Sequence, residues 1–496
     1  MSVPLTVIEQ IVSGSGVATA IEQMLPAGVR ERQLKASTLL IGMMLALADG
    51  RPAHLTRVLE ALLALPEDDQ KRRGVIAQWK NGPHPLTYRQ VEHTHRLITK
   101  ALAKTGPDGA PSAGLQKLCD QLLEASIPPQ LKDTSSSLAL DWTDVEAWAR
   151  AVPQASAGCG ADPEARWGHR NVGRAIEEGE MFFGYYMPAA VMVNDENGPA
   201  VPELVRRITV CSSAHDPAAA LVPVLQDMAA AGIQPGDILA DSGFSHRQAS
   251  TWAVPLRGLG AKLVQDLHPH DRGPRGTHQG AIICNGCLYC PKTPPALLNL
   301  ISLPPGARPA EVAEHDQQTT ELARYKLGLH AGDDAGGYRR HACPAAMGKI
   351  RCPLKPASMT LTRDRPEILN PPEHSPACCM HKTITAGPGV AARTRQKHDY
   401  PSQAWRRSYR RRTAAERLNS TIKDTATNSI DRGWIRLMGI TPLMLSLTCL
   451  MVARNQRTLT AWQARQQDDA RRAAGRQPPR TRKPRRELAT AGPAPP

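Results

Sequence analysis

No stretch of this 496-residue chain is apolar for long enough to cross a bilayer. The longest apolar runs, Leu39 to Ala48 and Met438 to Ala453, fall short of the ~20 residues that a spanning helix needs and read as buried core helices. The start, Met1-Ser-Val-Pro-Leu-Thr-Val-Ile-Glu-Gln, lacks the basic segment and apolar stretch of a secretory signal. Without an export signal, the eleven cysteines point to free thiols or a bound metal, not to a disulfide framework, and a cytoplasmic location is expected. Acidic residues are in deficit: 46 Asp and Glu against 61 Lys and Arg leave a net charge of +15. That balance favours a polyanionic partner, nucleic acid ahead of a membrane surface.

The chain is long enough for a sizeable core and about three structural units. Residues 1–130 read as helical, with apolar periodicity in Leu34 to Leu47, Leu55 to Leu65 and Val91 to Leu102. Thr87 and Gln90 have the spacing of a capping box at the start of the last of these helices. Arg89, His93 and Arg96 would then give it a basic side, suited to DNA or simply to solvent. From residue 131 to 270 strands alternate with helices, a pattern that supports an α/β class. Residues 271–400 are rich in Pro, Gly and Cys, with few helical periods. Helical character returns over 401–455, and residues 456–496 form a basic tail expected to be disordered.

Chemistry concentrates near the C-terminal end, in Tyr409-Arg-Arg-Arg412-Thr-Ala-Ala-Glu416-Arg-Leu-Asn-Ser-Thr-Ile-Lys423. The segment has no Gly or Pro and favours helix. At roughly 100° per residue, Tyr409, Arg412, Glu416 and Lys423 fall within about 60° of one another. One carboxylate is thus flanked by two cations and a phenol, a face suited to a metal ion and a phosphate. Six arginines (Arg406, Arg407, Arg410, Arg411, Arg412 and Arg417) surround it and suggest phosphate contact. Upstream, Leu138-Ala-Leu-Asp141-Trp-Thr-Asp144 and Asp237-Ile-Leu-Ala-Asp241-Ser-Gly read as buried strands ending in aspartate, where α/β sheets place their sites. Two such aspartates and a helical glutamate form an all-oxygen donor set, which suits Mg²⁺ or Mn²⁺ over zinc.

This constellation resembles the DDE transposases of bacterial insertion sequences, in the group with a Tyr-x2-Arg-x3-Glu-x6-Lys signature. Tyr409, Arg412, Glu416 and Lys423 match all four signature positions, and Asp141 and Asp241 match the first and second acidic motifs. The likeness covers about residues 131 to 270 and 400 to 455. It implies a ribonuclease H-like catalytic core, with residues 271–400 as an insertion before the glutamate helix. It implies that Asp141, Asp241 and Glu416 hold two Mg²⁺ or Mn²⁺ ions, roughly 4 Å apart in such sites, with Asp141 bridging both. Asp141 is preferred to Asp144 because it is the residue that matches the family. Tyr409, Arg412 and Lys423 would hold terminal phosphates. The implied activity is cleavage at the element's ends and strand transfer into target DNA, through a hairpin. The implied partners are double-stranded DNA and a second copy of the chain, synapsed as a homodimer on the nucleoid. The N-terminal helices would read the element's ends. A metal-dependent nuclease without strand transfer and a non-catalytic DNA-binding derivative are the alternatives.

The insertion opens with Cys284-x2-Cys287-x2-Cys290, followed by Cys343, Cys352, His374, Cys378, Cys379 and His381. A Cys-x2-Cys pair is zinc spacing, but no matching second pair follows, so reduced thiols compete with a structural zinc here. His215, Asp216 and His246 flank the strand ends and read as polar loop residues. Cys211 and Cys449 sit in apolar surroundings and read as packed.

Overall fold

The computed structural model describes residues 3–26, 31–79, 82–103, 109–153, 160–171, 179–304, 306–332, 334, 336–425 and 428–477. The chain begins with the helices Leu5–Gly14 (α1), Val17–Met24 (α2), Ala36–Ala48 (α3) and Leu55–Leu63 (α4). A hairpin of Ile76–Trp79 (β1) and Gly82–Pro85 (β2) follows, then Tyr88–Leu102 (α5) and Ala113–Ala125 (α6). At the start of α5 the Thr87 amide donates to the Gln90 side chain at 2.8 Å, one half of the capping box. Arg89, His93 and Arg96 are exposed along this helix. The hairpin was not expected; its strands are only four residues each and carry Pro83 and Pro85, which hide a strand pattern.

A mixed sheet occupies the middle of the chain. Its strands are Leu138–Glu146 (β3), Arg166–Asn171 (β4), Gly179–Met192 (β5), Val205–Ile208 (β6), Cys211–Ser212 (β7), Asp237–Ala240 (β8) and Lys262–Gln265 (β9). The order is β4-β5-β3-β8-β9, with β6 and β7 also paired to β5. β3 and β5 run antiparallel, while β3, β8 and β9 run parallel. Between β7 and β8 lies Pro217–Ala230 (α7), whose N-cap Asp216 accepts from the Ala218 amide and whose first residue is proline. Ser242–Ser245 (α8) and Ala253–Gly258 (α9) connect β8 to β9.

Strand β5 runs through Pro188 without a break. Proline has no N–H for a ladder, and Pro188 lies opposite the gap between β6 and β7, where only its carbonyl is used, by the Thr209 amide.

Alternation sorts the sheet's two faces. Leu138, Leu140, Ile238 and Ala240 pack with α7, Phe244 and Trp252. Ala139, Val145, Tyr185, Val191 and Leu239 face a larger core shared with Leu39, Leu40 and Met44 of α3 and with Leu443, Met444 and Leu447. The last three belong to Ile440–Ala474 (α13, numbered to follow the helices of the next paragraph). The N-terminal helices and the sheet therefore have one continuous core, and the boundary at residue 130 divides sequence rather than packing. Asn455 of α13 fixes this arrangement: its side chain accepts from Val205 N–H (2.8 Å) and donates to Val205 C=O (2.9 Å), as a neighbouring strand would. The helix also runs on to Ala474, so residues 456–474 of the expected tail are ordered as helix. The basic run Arg480 to Arg486 lies outside the described residues.

The insertion holds two three-stranded antiparallel sheets, Pro274–His278, Ala281–Cys284 and Cys287–Tyr289 (β10–β12), and Gly328–Ala331, Arg339–Ala342 and Ile384–Ala386 (β13–β15). Between them is Pro309–Tyr325 (α10), a 17-residue helix that the sequence pattern did not suggest. Its buried stripe is His315, Thr319, Leu322 and Tyr325, helical in spacing but half polar, so hydropathy conceals it. The chain then enters Gln403–Tyr409 (α11) and Thr413–Ile422 (α12) before α13. Among the described residues no helix is long and apolar enough to cross a membrane.

Candidate active site

The parallel register sets Asp141 beside Asp241. Leu138 pairs with Ile238 and Ala139 with Leu239, so two further residues along each strand bring the two aspartates level, on strands about 4.8 Å apart. Asp141 is the fourth residue of the nine-residue β3, not its end as expected. What ends there is the pairing with β8, which opens the sheet at that level. Asp241 caps α8, its Oδ1 accepting from the Gly243 amide at 2.9 Å. Gly243 is required by its neighbours: a Cβ there would lie 2.5 Å from the Trp142 ring and 3.1 Å from Asp241 Oδ1.

The signature segment is not one helix. Arg410–Arg412 form a turn of 3₁₀ helix between α11 and α12. Residues i and i+3 eclipse in that geometry, which brings Arg412 over the Tyr409 ring at 5.8 Å. Tyr409 in turn stacks on Trp405, ring centres 4.7 Å apart and 15° from parallel. Arg412 caps the start of α12 and Glu416 sits one turn further on, and α12 packs along β3. Arg412 Nη1 lies 3.5 Å from Asp141 Oδ2 while its Nη2 lies 2.5 Å from Glu416 Oε1. Asn419, one further turn along, donates to Asp141 Oδ2 at 3.1 Å. Asn419 was missed, although its i, i+3 relation to Glu416 puts it on the same face.

Electrostatics follow from this crowding. Burial first, and the Asp241 charge second, push the Asp141 carboxyl up to about 6, against the pull of Arg412. Burial opposes the charge on Arg412, but Tyr409, Asp241, Asp141 and Glu416 outweigh it and hold its pKa above the ordinary value. Burial also raises the Tyr409 phenol. Asp266, just past the end of β9, is another carboxyl raised by burial and, to a lesser extent, by Asp241. The site thus carries more negative charge than one guanidinium balances. Asp141, Asp241 and the half-exposed Glu416 offer only oxygen donors, a set that fits Mg²⁺ or Mn²⁺. Arg412 bridges Asp141 and Glu416 as a divalent ion would.

Most of the basic residues around the site have partners within the chain. Lys423 follows the last residue of α12, and its Nζ lies 2.9 Å from Asp144 Oδ1. Asp144 also pairs with Arg170 at 2.7 Å, and by strand alternation it points to the face opposite Asp141. Burial works against its ionisation, but Lys423 and Arg170 hold its carboxyl below the usual range. The arginine cluster is largely engaged within the chain as well. Arg406 pairs with Asp316, Arg411 with the buried Asp237 (2.7 Å), and Arg417 with Glu203. Arg407 and Arg410 remain exposed.

In the insertion, burial first, and then the nearby Cys343, Cys379 and Cys352, push the Cys290 thiol up to about 12. These sulfurs gather in one region, yet among the described residues the group whose potential ligand atoms all lie within 4.8 Å of one another is His246, His268 and Asp271. Compared with protein-family models, curated proteins and solved structures, the chain matches none.

Proposed function

We propose that this chain is a DDE transposase with a ribonuclease H-like core, cleaving DNA at the ends of its element and joining them to target DNA. The observation that carries the reading is the convergence of Asp141, Asp241 and Glu416 from two parallel strands and a helix, with Arg412 bonded to two of the three. The order β5-β3-β8-β9, with an antiparallel pair followed by parallel strands, supports the core assignment. The sequence resemblance supplies the rest.

Two bound Mg²⁺ or Mn²⁺ ions would supply activation of the attacking oxygen and stabilisation of the leaving one. Asp141 would touch both, and Asp241 and Glu416 one each. Asn419 and the Trp142 amide, which donate to Asp141 at 3.1 and 2.9 Å, hold its oxygens in place. Gly243 N–H does the same for Asp241. Arg412, released from Glu416, is placed to take a phosphate oxygen, with Tyr409 beneath it fixing its plane. Arg407 and Arg410 extend the basic surface, and Arg89, His93 and Arg96 on α5 would contact the element's ends. Lys423 reaches a terminal phosphate only by leaving Asp144. The working form would be a homodimer synapsing two DNA ends in the cytoplasm.

The test is an end-cleavage assay with purified protein, Mg²⁺ and DNA carrying the ends that flank its own gene, read on denaturing gels. Wild type should nick and form hairpins, while Glu416→Gln should bind the ends and cut nothing. Cleavage by Glu416→Gln at wild-type level would remove the assignment. Cleavage without joining to target DNA would make the protein a nuclease.

A further inference from the structure

A group of possible metal ligands of a different chemistry follows the Asp241 loop and β9. Asp271 follows β9 in a short 3₁₀ turn, Pro269–Asp271, and its side chain is only 3% exposed. One carboxylate oxygen, Oδ1, accepts from Arg393. The other, Oδ2, is buried and has no hydrogen-bond partner. A buried carboxylate oxygen left without a partner is destabilising. It faces imidazoles: His246 Nδ1 stands 3.6 Å from Oδ2, and the His246 and His268 rings are 4.0 Å apart. The potential ligand atoms of His246, His268 and Asp271 all fall within 4.8 Å of one another.

The separations suit a metal better than a hydrogen bond. At 3.6 Å the His246–Asp271 contact is too long for a good N–H···O bond. Two ligands bonded at about 2.0–2.1 Å to a tetrahedral zinc lie about 3.3–3.4 Å apart, so a small closure of this gap seats an ion. His268 Nδ1 accepts a long bond (3.3 Å) from the His270 amide, a contact that ligation at that nitrogen would replace.

We infer that His246, His268 and Asp271 bind a divalent transition metal of the zinc class, with a fourth position open to solvent. Two imidazoles and one carboxylate select zinc, cobalt or nickel over Mg²⁺, so this site and the all-oxygen site do not compete for one ion. Three protein ligands with an open position are the pattern of a site that takes water or an anionic oxygen. Its place in the fold gives it a further effect. His246 ends α8, five residues after Asp241; His268 and Asp271 follow β9; Arg393, on Asp271, comes from the end of the insertion. A metal there ties the Asp241 loop to both. None of this rests on the transposase reading.

The experiment uses the full chain, stripped by chelator and then titrated with Co²⁺ and with Zn²⁺, for wild type, His246→Ala and His268→Ala. His246 is exposed, so its variant should melt with wild type in chelator and serves as the folded control. Absorption by Co²⁺ separates thiolate sites, which carry an intense sulfur charge-transfer band, from nitrogen and oxygen sites, which do not. Wild type should bind one equivalent without the thiolate band, unaffected by millimolar Mg²⁺. Each variant should lose that equivalent or bind it more than 100-fold more weakly, beyond the roughly 10–100-fold cost of losing an outer partner. Unchanged stoichiometry and affinity in both variants, or bound metal carrying only the thiolate signature, would overturn the site.

Discussion

Replacing Asp141 with Asn should stabilise the metal-free protein at neutral pH and above, with an effect that moves in the variant's favour as pH rises. Asp141 is 17% exposed, so solvent screens it little, and its carboxyl is raised from 3.8 to about 6 by burial and by Asp241. The folded state therefore holds this proton more tightly than the unfolded chain does. Stability from this group is complete below about pH 3.8 and is lost as pH rises through about 6. At 1.36 kcal/mol per pH unit of difference, the full penalty is about 3 kcal/mol. It is about half developed at pH 5 and complete above pH 7. Asparagine carries no charge and escapes it, although its amide meets Asn419 and Arg412 less well, at a cost of about 1 kcal/mol that does not vary with pH.

The assay is thermal melting in chelator from pH 4 to pH 8, comparing Asp141→Asn with wild type at each pH. With about 2.1 cal/mol/K of unfolding entropy per residue, a cooperative unit of 496 residues converts 3 kcal/mol into about 3 °C, and a smaller unit into more. About 0.5 kcal/mol of the penalty is already present at pH 4, so the difference between the two melting temperatures should move by about 2 °C in favour of the variant between pH 4 and pH 8. Mg²⁺ at pH 8 should raise the wild type only. A difference that stays flat with pH, or moves against the variant, refutes the claim that Asp141 is held uncomfortably ionised beside Asp241.

Other substitutions separate structural cations from DNA-facing ones. Arg411→Ala leaves the buried Asp237 to Lys397 alone and should cost about 3 kcal/mol, seen as a lower melting temperature. Arg407→Ala, on an exposed residue, should leave melting within about 0.5 kcal/mol of wild type and weaken binding to DNA most at low salt. Lys423→Ala should cost less than about 1 kcal/mol, because the pair is partly exposed and Asp144 keeps Arg170. In Gly243→Ala the new methyl group meets Trp142, so the Asp241 loop must shift. Stability should fall by about 1–3 kcal/mol and end cleavage by a larger factor than melting suggests.

What could be read from the sequence depended on whether the deciding interaction was local. The helices α3, α4 and α5 were legible because their apolar stripes repeat at helical spacing, whereas Asp216, which caps α7, read only as a polar loop residue. Helix α10 was hidden because its buried stripe uses His315 and Thr319, whose burial depends on partners elsewhere in the chain. Asp141 and Asp241 could be marked as strand aspartates, but their alignment depends on the register Leu138–Ile238, which no local pattern states. The signature helix shows the same limit from the other side. Counting 100° per residue puts Lys423 in line with Glu416, and the 3₁₀ turn at Arg410–Arg412 precedes both; what the count does not state is that Asp144 claims the ammonium. The turn itself lines up Tyr409 with Arg412 and so builds the cation–ring pair behind the carboxylates.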